Sequence, residues 1–266
     1  MRLASILAEP ELAGLDIESP ERILRHSRIL ARKAILRSVF EDFYRTYRAL
    51  DERWFGDVPG LRVELGAGVS FFKQCFPDVT MTDIKLAPHL DAVVDAQAIP
   101  YADASVRALY GLNCFHHLPE PETFFREALR VLRPGGGVVL IEPFYGPLSE
   151  AVHKRLFSTE CFVKTDRDWS SLERAAMLGA NQALSYIVFF RDRARFTARH
   201  PELEIVHTET VPNYLRYLLS GGLNFRQLCP DKLTGLVVLM ERFLRPLEPL
   251  FALHHAIVLR KRRSAR

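Results

Sequence analysis

Cysteine is scarce in this sequence, with four residues among 266. Cys75, Cys114, Cys161 and Cys229 lie far apart, and no two of them form a Cys-x-x-Cys pair. This spacing is typical of isolated thiols in a reducing compartment, and it does not support a disulfide framework or a zinc site. We therefore assign no metal ligands from the sequence.

Long apolar runs are also missing. The longest candidates, residues 184–190 and 233–240, fall well short of the ~18 residues that a membrane-spanning helix needs. Residues 1–10 hold one arginine and a short apolar stretch interrupted by Glu9, which is unlike a secretory signal. The sequence therefore predicts a cytoplasmic protein.

The composition shows no strong bias. Apolar residues make up 48% and charged residues 26%, which excludes disorder, collagen-like repeats or a coiled-coil rod for the whole chain. The net charge of +4 is too small to indicate a nucleic-acid partner, and we expect none. A length of 266 residues fits one large α/β domain or a core with a cap.

The apolar pattern predicts a Rossmann-like, doubly wound, mostly parallel α/β sheet with helical cap insertions. Short apolar runs alternate with turns and helical segments, which is typical of βαβ units. The predicted strands are residues 61–65, 79–83, 92–95, 108–113, 138–142, 202–208 and 254–259. The predicted division is a helical extension at 1–58, a core at 59–145, 201–213 and 251–262, and a helical acceptor cap at 146–200 and 214–250.

A glycine turn follows the first predicted strand, in the sequence Leu-Arg-Val-Glu-Leu-Gly-Ala-Gly-Val-Ser at residues 61–70. Two acids follow later strands: Asp83 ends the second and Asp95 ends the third. Ligands of open parallel sheets collect at these strand ends, where a carboxylate can accept bonds from a ribose diol or an exocyclic amine. The alternative is that both acids are solvated strand ends or helix caps.

The residues of the glycine turn also indicate which class of cofactor it can bind. A dinucleotide fingerprint needs its third glycine at position 71, where Phe71 would crowd a pyrophosphate, and no Gly-Lys-Ser/Thr tripeptide is present. A nucleoside ligand without a phosphate chain remains, and S-adenosylmethionine is the common one. A nicotinamide-dependent oxidoreductase is correspondingly disfavoured.

Taken together, residues 61–143 resemble a class I S-adenosylmethionine-dependent methyltransferase of the type-11 group, which includes the ubiquinone/menaquinone methyltransferases. The resemblance rests on the glycine turn, on Thr-Asp at 82–83, on Val-Val-Asp-Ala-Gln-Ala-Ile-Pro at 93–100, on Leu-Asn-Cys-Phe-His-His-Leu at 112–118, and on Arg-Val-Leu-Arg-Pro-Gly-Gly-Gly at 130–137. Ser70 departs from the family pattern, which usually has a glycine there.

The resemblance implies a role for each matching residue. Glu64, Gly66, Ala67 and Gly68 would surround the methionine moiety of S-adenosylmethionine, with the acid near its amino group. Asp83 would hold the ribose, Asp95 and Ala96 the adenine, and Asn113 would lie beside the sulfonium.

Transfer to an alcohol needs a general base near the acceptor as well as alignment with the methyl group. The catalytic candidates are His116 and His117 after the fourth strand and Glu142 at the end of the fifth, with Tyr145 nearby. Packing over the cofactor, helix capping or a salt bridge are the alternatives for these residues. His254 and His255 are expected in a core or edge position. The Asn/Asp-Pro-Pro-Tyr signature of amino-group methyltransferases is absent after the fourth strand.

The sequence therefore predicts a methyltransferase acting on a small-molecule, lipid-linked or carbohydrate acceptor, with oxygen favoured over a quinone-like ring carbon. A non-catalytic S-adenosylmethionine-binding or regulatory protein is the alternative. Residues 21–50 are predicted to be helical, with an apolar face formed by Leu36, Phe40, Phe43, Tyr47 and Leu50. They carry eight basic and three acidic residues, and the C-terminus is also basic. This pattern suggests peripheral contact with the inner, anionic membrane surface, or else only a solvated helix face. The oligomeric state is not predicted.

Overall fold

A computed structural model describes residues 6–16, 19–156, 160–170 and 180–263, and its centre is a seven-stranded sheet in the order β3-β2-β1-β4-β5-β7-β6. Strands β1 to β5 run parallel, and β7 runs antiparallel to both β5 and β6. The predicted Rossmann-like α/β fold is confirmed. The strands are β1 Leu61–Leu65, β2 Val79–Asp83, β3 Ala92–Val93, β4 Val106–Leu112, β5 Leu132–Pro143, β6 Leu203–Val211 and β7 His254–Lys261.

Helices cover both faces of the sheet. Along β5, Val138 and Leu140 enter one apolar cluster while Val139 and Ile141 enter the cluster on the opposite face. Such a strand reads as a continuous apolar run because neither face meets water. The helices are α1 Pro20–Arg32, α2 Ala34–Phe55, α3 Phe72–Cys75, α4 Pro121–Val131, α5 Pro147–Arg155, α6 Leu184–Tyr186, α7 Arg193–Arg199, α8 Tyr214–Ser220, α9 Thr234–Leu244 and α10 Glu248–Phe251. One π-helical segment, Ile187–Arg191, follows α6.

The predicted N-terminal helical region consists of two helices that meet at Lys33. The Lys33 ammonium is buried and donates to the carbonyl oxygens of Gly222 at 2.9 Å and Phe225 at 2.5 Å. Helix α2 carries the predicted apolar face, whose members are all buried against the sheet: Leu36, Phe40, Phe43, Tyr47 and Leu50. The extension therefore shares its core with the sheet, while the division into extension, core and cap stays a prediction.

Only β1 and β2 have the predicted bounds, and two of the five differences bear on the site or on the glycine run. Strand β3 ends at Val93, two residues before Asp95, because Asp95 turns back to form a bridge with Ala98. Strand β5 begins at Leu132, so the Gly-Gly-Gly run at 135–137 lies within the strand, with Leu132 paired to Val106. Residues 171–179 of the predicted helical cap lie outside the described residues. Among the described residues, no helix is long and apolar enough to cross a membrane.

Candidate active site

The carboxyl ends of β1 to β4 bring the predicted cofactor residues to one edge of the sheet. Glu64 is the last residue but one of β1, and Asp83 is the last residue of β2. Asp95 follows β3, and Asn113 follows β4. These strands are adjacent and parallel, so their ends open on the same side. This is where open α/β sheets bind ligands.

The glycine turn after β1 adopts backbone angles that disfavour other residues. Gly66 has a φ of 64° and Gly68 a φ of 53°. A Cβ at Gly66 would lie 2.5 Å from the Cys114 Sγ, whereas a Cβ at Gly68 would meet nothing within 4 Å. At Gly66 the turn therefore packs tightly against Cys114 in the loop after β4, whereas at Gly68 it faces open space.

Glu64 is a buried carboxylate without a cationic partner among the described residues. It is 1% exposed, and neither oxygen makes a hydrogen bond of good geometry there. Burial raises the pKa of Glu64 to about 8, against the opposing effect of the nearby Ser70 hydroxyl and with a small contribution from Asp83. Because an isolated buried carboxylate is costly, this position fits a ligand that brings a cation, such as the ammonium of a methionine moiety.

Backbone N–H groups orient the carboxylates of Asp83 and Asp95. Asp83 accepts from the Gly68 N–H through Oδ2 and from the Lys85 N–H through Oδ1, both at 2.9 Å. Asp95 accepts from the Gln97 N–H at 2.8 Å. Both side chains are only partly buried, so each carboxylate is held in place at the rim where a ribose or adenine would lie.

Tyr44 supports the glycine turn from α2, a contact that the sequence analysis missed. Its hydroxyl accepts from the Phe71 N–H at 3.0 Å and shares a hydrogen bond with the Ser70 hydroxyl at 3.0 Å. The Tyr44 ring stacks on Phe72 with a centroid distance of 4.8 Å. The only available signal was the position of Tyr44 beside the predicted apolar face.

A cavity of about 240 Å³ has Asn113, the first residue after β4, in its lining. The Asn113 Oδ1 is buried and has no partner among the described residues, and its Nδ2 lies 3.4 Å from the His254 Nε2. Polar side chains from β4, the cap and β7 line the cavity: Asn113, His116, His117, His153, Glu160 and His254. Its apolar lining includes Phe40, Phe43 and Tyr217.

His116 is fixed between two carboxylates. Its Nδ1 donates to Glu142 Oε2 at 2.5 Å, and its Nε2 lies 3.4 Å from Glu160 Oε2. Burial opposes the charge, but Glu142 and Glu160 outweigh it and raise the pKa of His116. Glu142 is fully buried, accepts from the N–H groups of Cys114 and Phe115 at 2.9 and 2.8 Å, and does not line the cavity.

Glu160 is an acidic cavity residue that the sequence analysis did not find. Gln182 donates to its Oε2 at 2.9 Å, and its Oε1 lies 3.9 Å from the His117 Nε2. Burial opposes ionisation of Glu160, but His116 and His117 outweigh it and lower the pKa of this carboxyl to about 2. No local pattern around residue 160 distinguishes it from other surface acids.

The remaining histidines and aromatic residues are placed as follows. His254 and His255 are both buried in β7, as expected for a core position, and His254 also reaches the cavity. Burial lowers the pKa of each to about 3. Among the aromatic side chains of the predicted cap, Tyr217 lines the cavity, whereas Phe189 and Phe196 belong to the apolar core.

The comparisons with known proteins point to one domain family. Residues 67–140 match the model described as a methyltransferase domain, Methyltransf_11. The chain is 32% identical to the demethylmenaquinone methyltransferase of Renibacterium salmoninarum over 121 residues, 39% of this chain and 51% of that protein. It is 46% identical to the 27-O-demethylrifamycin SV methyltransferase of Amycolatopsis mediterranei over 46 residues, 17% of each chain.

Among solved structures, geranyl diphosphate C-methyltransferase from Streptomyces coelicolor A3(2) aligns over 96% of this chain and 89% of that one. The identity is 15% and the TM-score 0.45. The two curated relatives named above are matched over only 17% and 51% of their own lengths.

Proposed function

Because this chain contains a class I S-adenosylmethionine-dependent methyltransferase domain of the type-11 group, we propose that it methylates a small-molecule, lipid or carbohydrate acceptor. One observation carries the proposal: Glu64 and Gly68 at the end of β1 and the Asn113 cavity at the end of the neighbouring β4 lie at the same edge of the sheet. A cofactor bound at the strand ends would therefore lie on the side of the sheet where the cavity lies.

We assign each residue at the strand ends to one part of the cofactor. Glu64 would bind the amino group of S-adenosylmethionine, Asp83 the ribose, and Asp95 with Ala96 the adenine. Asn113 would lie beside the sulfonium, at the junction with the cavity. The cofactor supplies an already activated methyl group, so the main task of these side chains is alignment, which is worth ~7–11 kcal/mol in well-oriented reactions.

An oxygen acceptor suits the cavity better than a ring carbon. The hydroxyl of an alcohol must lose its proton during transfer, and imidazole is the side chain most often used as the proton acceptor. His117 is only partly buried and lines the cavity, so we assign it the contact with the acceptor. The Glu142 carboxylate accepts from His116 and from two backbone N–H groups and is not part of the cavity lining, so we assign it a positioning role.

Peripheral membrane contact is better supported by the cap than by the basic N-terminal helices. Four of the basic residues there form ion pairs within the chain, Arg25 with Glu21, Arg32 with Glu9, Arg45 with Asp42 and Arg48 with Asp78, at 2.7 to 3.0 Å. At the C-terminus, Arg260 pairs with Glu204, and Arg263 with Asp57.

The apolar surface of the cap, called the α9 surface below, extends from the residue before α9 along this helix and into α10. Its exposed members are Leu233, Leu236, Val238, Leu239, Met240, Phe243, Leu247 and Leu250. Phe243 is 77% exposed. Exposed Lys232, Arg242 and Arg245 lie along it, while Glu241 is buried and paired with Arg216. We propose that an anionic lipid surface covers this α9 surface, since apolar side chains with basic neighbours bind such surfaces.

The test of methyl transfer uses the full chain, S-adenosylmethionine labelled in its methyl group, and fractionated host extract. We expect one low-molecular-weight or lipid fraction to become labelled, and the His117→Ala variant to label it at least tenfold more slowly. Cofactor binding with no labelled product in any fraction would instead identify a regulatory S-adenosylmethionine-binding protein.

A further inference from the structure

Three metal-ligating side chains converge inside the cavity. One ring nitrogen each of His116 and His117 and one oxygen of Glu160 all lie within 4.8 Å of one another. The His116 Nε2 is 3.4 Å from Glu160 Oε2, and the His117 Nε2 is 3.9 Å from Glu160 Oε1. Two residues come from the loop after β4 and one from the cap, so the cluster joins the two parts of the chain.

The surroundings of the cluster resemble the outer shell of a metal centre. A ligating histidine usually donates its second ring N–H to a carboxylate, which fixes the ring and raises its basicity. Glu142 accepts that bond from the His116 Nδ1 at 2.5 Å and is itself held by two backbone N–H groups. Glu160 has a corresponding partner, since Gln182 donates to its Oε2 at 2.9 Å.

The spacing suits a tetrahedral ion. With metal–ligand bonds of about 2.1 Å, adjacent tetrahedral ligand atoms lie about 3.4 Å apart. The His116 Nε2 is already at this distance from Glu160 Oε2, whereas the His117 Nε2 lies 3.9 Å from the other oxygen, Oε1, so small side-chain movements must bring both nitrogens around one ion. Three protein ligands leave the fourth coordination position of a tetrahedral ion open. Because the three ligands line the cavity, an acceptor oxygen in the cavity can occupy that position.

We propose that His116, His117 and Glu160 bind a divalent transition-metal ion of the zinc type at the acceptor end of the cavity. Two imidazoles and one carboxylate favour Zn²⁺, Co²⁺ or Fe²⁺ over Mg²⁺ and Ca²⁺, which prefer oxygen ligands. The ion would anchor the acceptor oxygen and polarise its O–H bond, and with the His117 Nε2 bound to it the ion would replace His117 as the group that activates the acceptor. This role toward the acceptor rests on the proposed function, whereas the binding of the ion does not.

The experiment titrates the metal-free full chain with Zn²⁺ by calorimetry, and with Co²⁺ by visible absorption, in the absence of cofactor. We expect one ion per chain and a Co²⁺ spectrum of nitrogen and oxygen ligation without a thiolate band. Glu160→Gln and His117→Ala should each weaken Zn²⁺ binding at least 100-fold. Glu142→Gln should weaken it about 10- to 100-fold, as expected for an outer-shell partner.

His207→Ala is the matched control, because His207 also pairs with a glutamate, Glu209 at 3.0 Å, but lies on β6 away from the cavity. It should bind Zn²⁺ like the unmodified chain. The proposal is overturned if the unmodified chain binds no stoichiometric Zn²⁺ or Co²⁺, or if binding survives in folded His117→Ala and Glu160→Gln. The cluster would then be only an ion-pair network around His116. Titration with S-adenosylhomocysteine separates the two proposals, because a failed metal site leaves cofactor binding intact.

Discussion

Glu64 is the residue whose protonation should report cofactor binding. Burial raises its pKa from 4.5 to about 8, so the folded protein keeps a proton there that the unfolded chain has lost. The ligand-free protein should therefore lose stability as the pH rises from about 4.5 through 8, which urea unfolding at several pH values would show.

The same group makes cofactor affinity depend on pH. A bound ammonium favours the ionised carboxylate, so S-adenosylhomocysteine should bind roughly tenfold or more tightly at pH 8 than at pH 6. Calorimetry measures this, and Glu64→Gln should remove most of the dependence. An unmodified chain with equal affinity at both values would show that Glu64 does not face the amino group.

Asp83 and Asp95 should each contribute to the affinity for cofactor. Asp83→Ala and Asp95→Ala each remove charge-assisted hydrogen bonds worth about 1.5–3 kcal/mol, which corresponds to roughly 10- to 150-fold weaker binding of S-adenosylhomocysteine. Asp103→Ala, at an exposed acid paired with Arg130, is the control. Unchanged affinity in both folded variants would contradict the site assignment.

The meeting of the candidate cofactor residues at one edge could be predicted from the sequence, because each lies at or next to the end of a strand. Glu64, Asp83 and Asn113 lie at or next to strand ends, so predicting the strands also predicts their meeting at one edge. Glu160 could not be predicted in this way. It reaches the cavity through the cap, and its partners His116 and Gln182 are distant in sequence.

At the scale of elements, the Tyr44 hydroxyl connects α2 to the end of the glycine turn through hydrogen bonds to Ser70 and Phe71. Tyr44→Phe would leave the buried Phe71 N–H without its acceptor, which costs about 1–3 kcal/mol. We expect a lower midpoint of urea unfolding and weaker binding of S-adenosylhomocysteine. The control is Tyr101→Phe, in the loop that follows β3. Equal stability of the two variants would contradict the supporting role of Tyr44.

Strands and helices were predicted where their patterns are local. The apolar face of α2 and the runs of β1 and β2 are readable from periodicity, and the structure gives β1 and β2 the predicted bounds. The break at Lys33 was not readable, because the carbonyl groups that accept from its ammonium lie near residues 222 and 225. Long-range contacts of this kind override a continuous helical pattern.

At the scale of the whole molecule, the α9 surface should direct the protein to anionic lipid. We expect it to co-sediment with vesicles containing phosphatidylserine but not with purely zwitterionic vesicles. Phe243→Glu should reduce the bound fraction several-fold, because it removes apolar area and adds a negative charge. Leu61→Glu is the control, at an exposed apolar residue on β1.

Equal recovery from both vesicle types would rule out the lipid contact. Sedimentation of the chain as a dimer that Phe243→Glu dissociates would show instead that a second copy covers the α9 surface. Either result leaves the strand-end site unaffected, since α9 contributes no side chain to the cavity lining.

Calorimetric titration of the full chain with S-adenosylhomocysteine, alongside NAD, tests the central claim most directly. We predict saturable binding of one S-adenosylhomocysteine per chain, no binding of NAD, and a loss of affinity in Asp83→Ala. Absence of S-adenosylhomocysteine binding to the folded chain, or a preference for NAD, would contradict the assignment of the Glu64 and Gly68 pocket to S-adenosylmethionine.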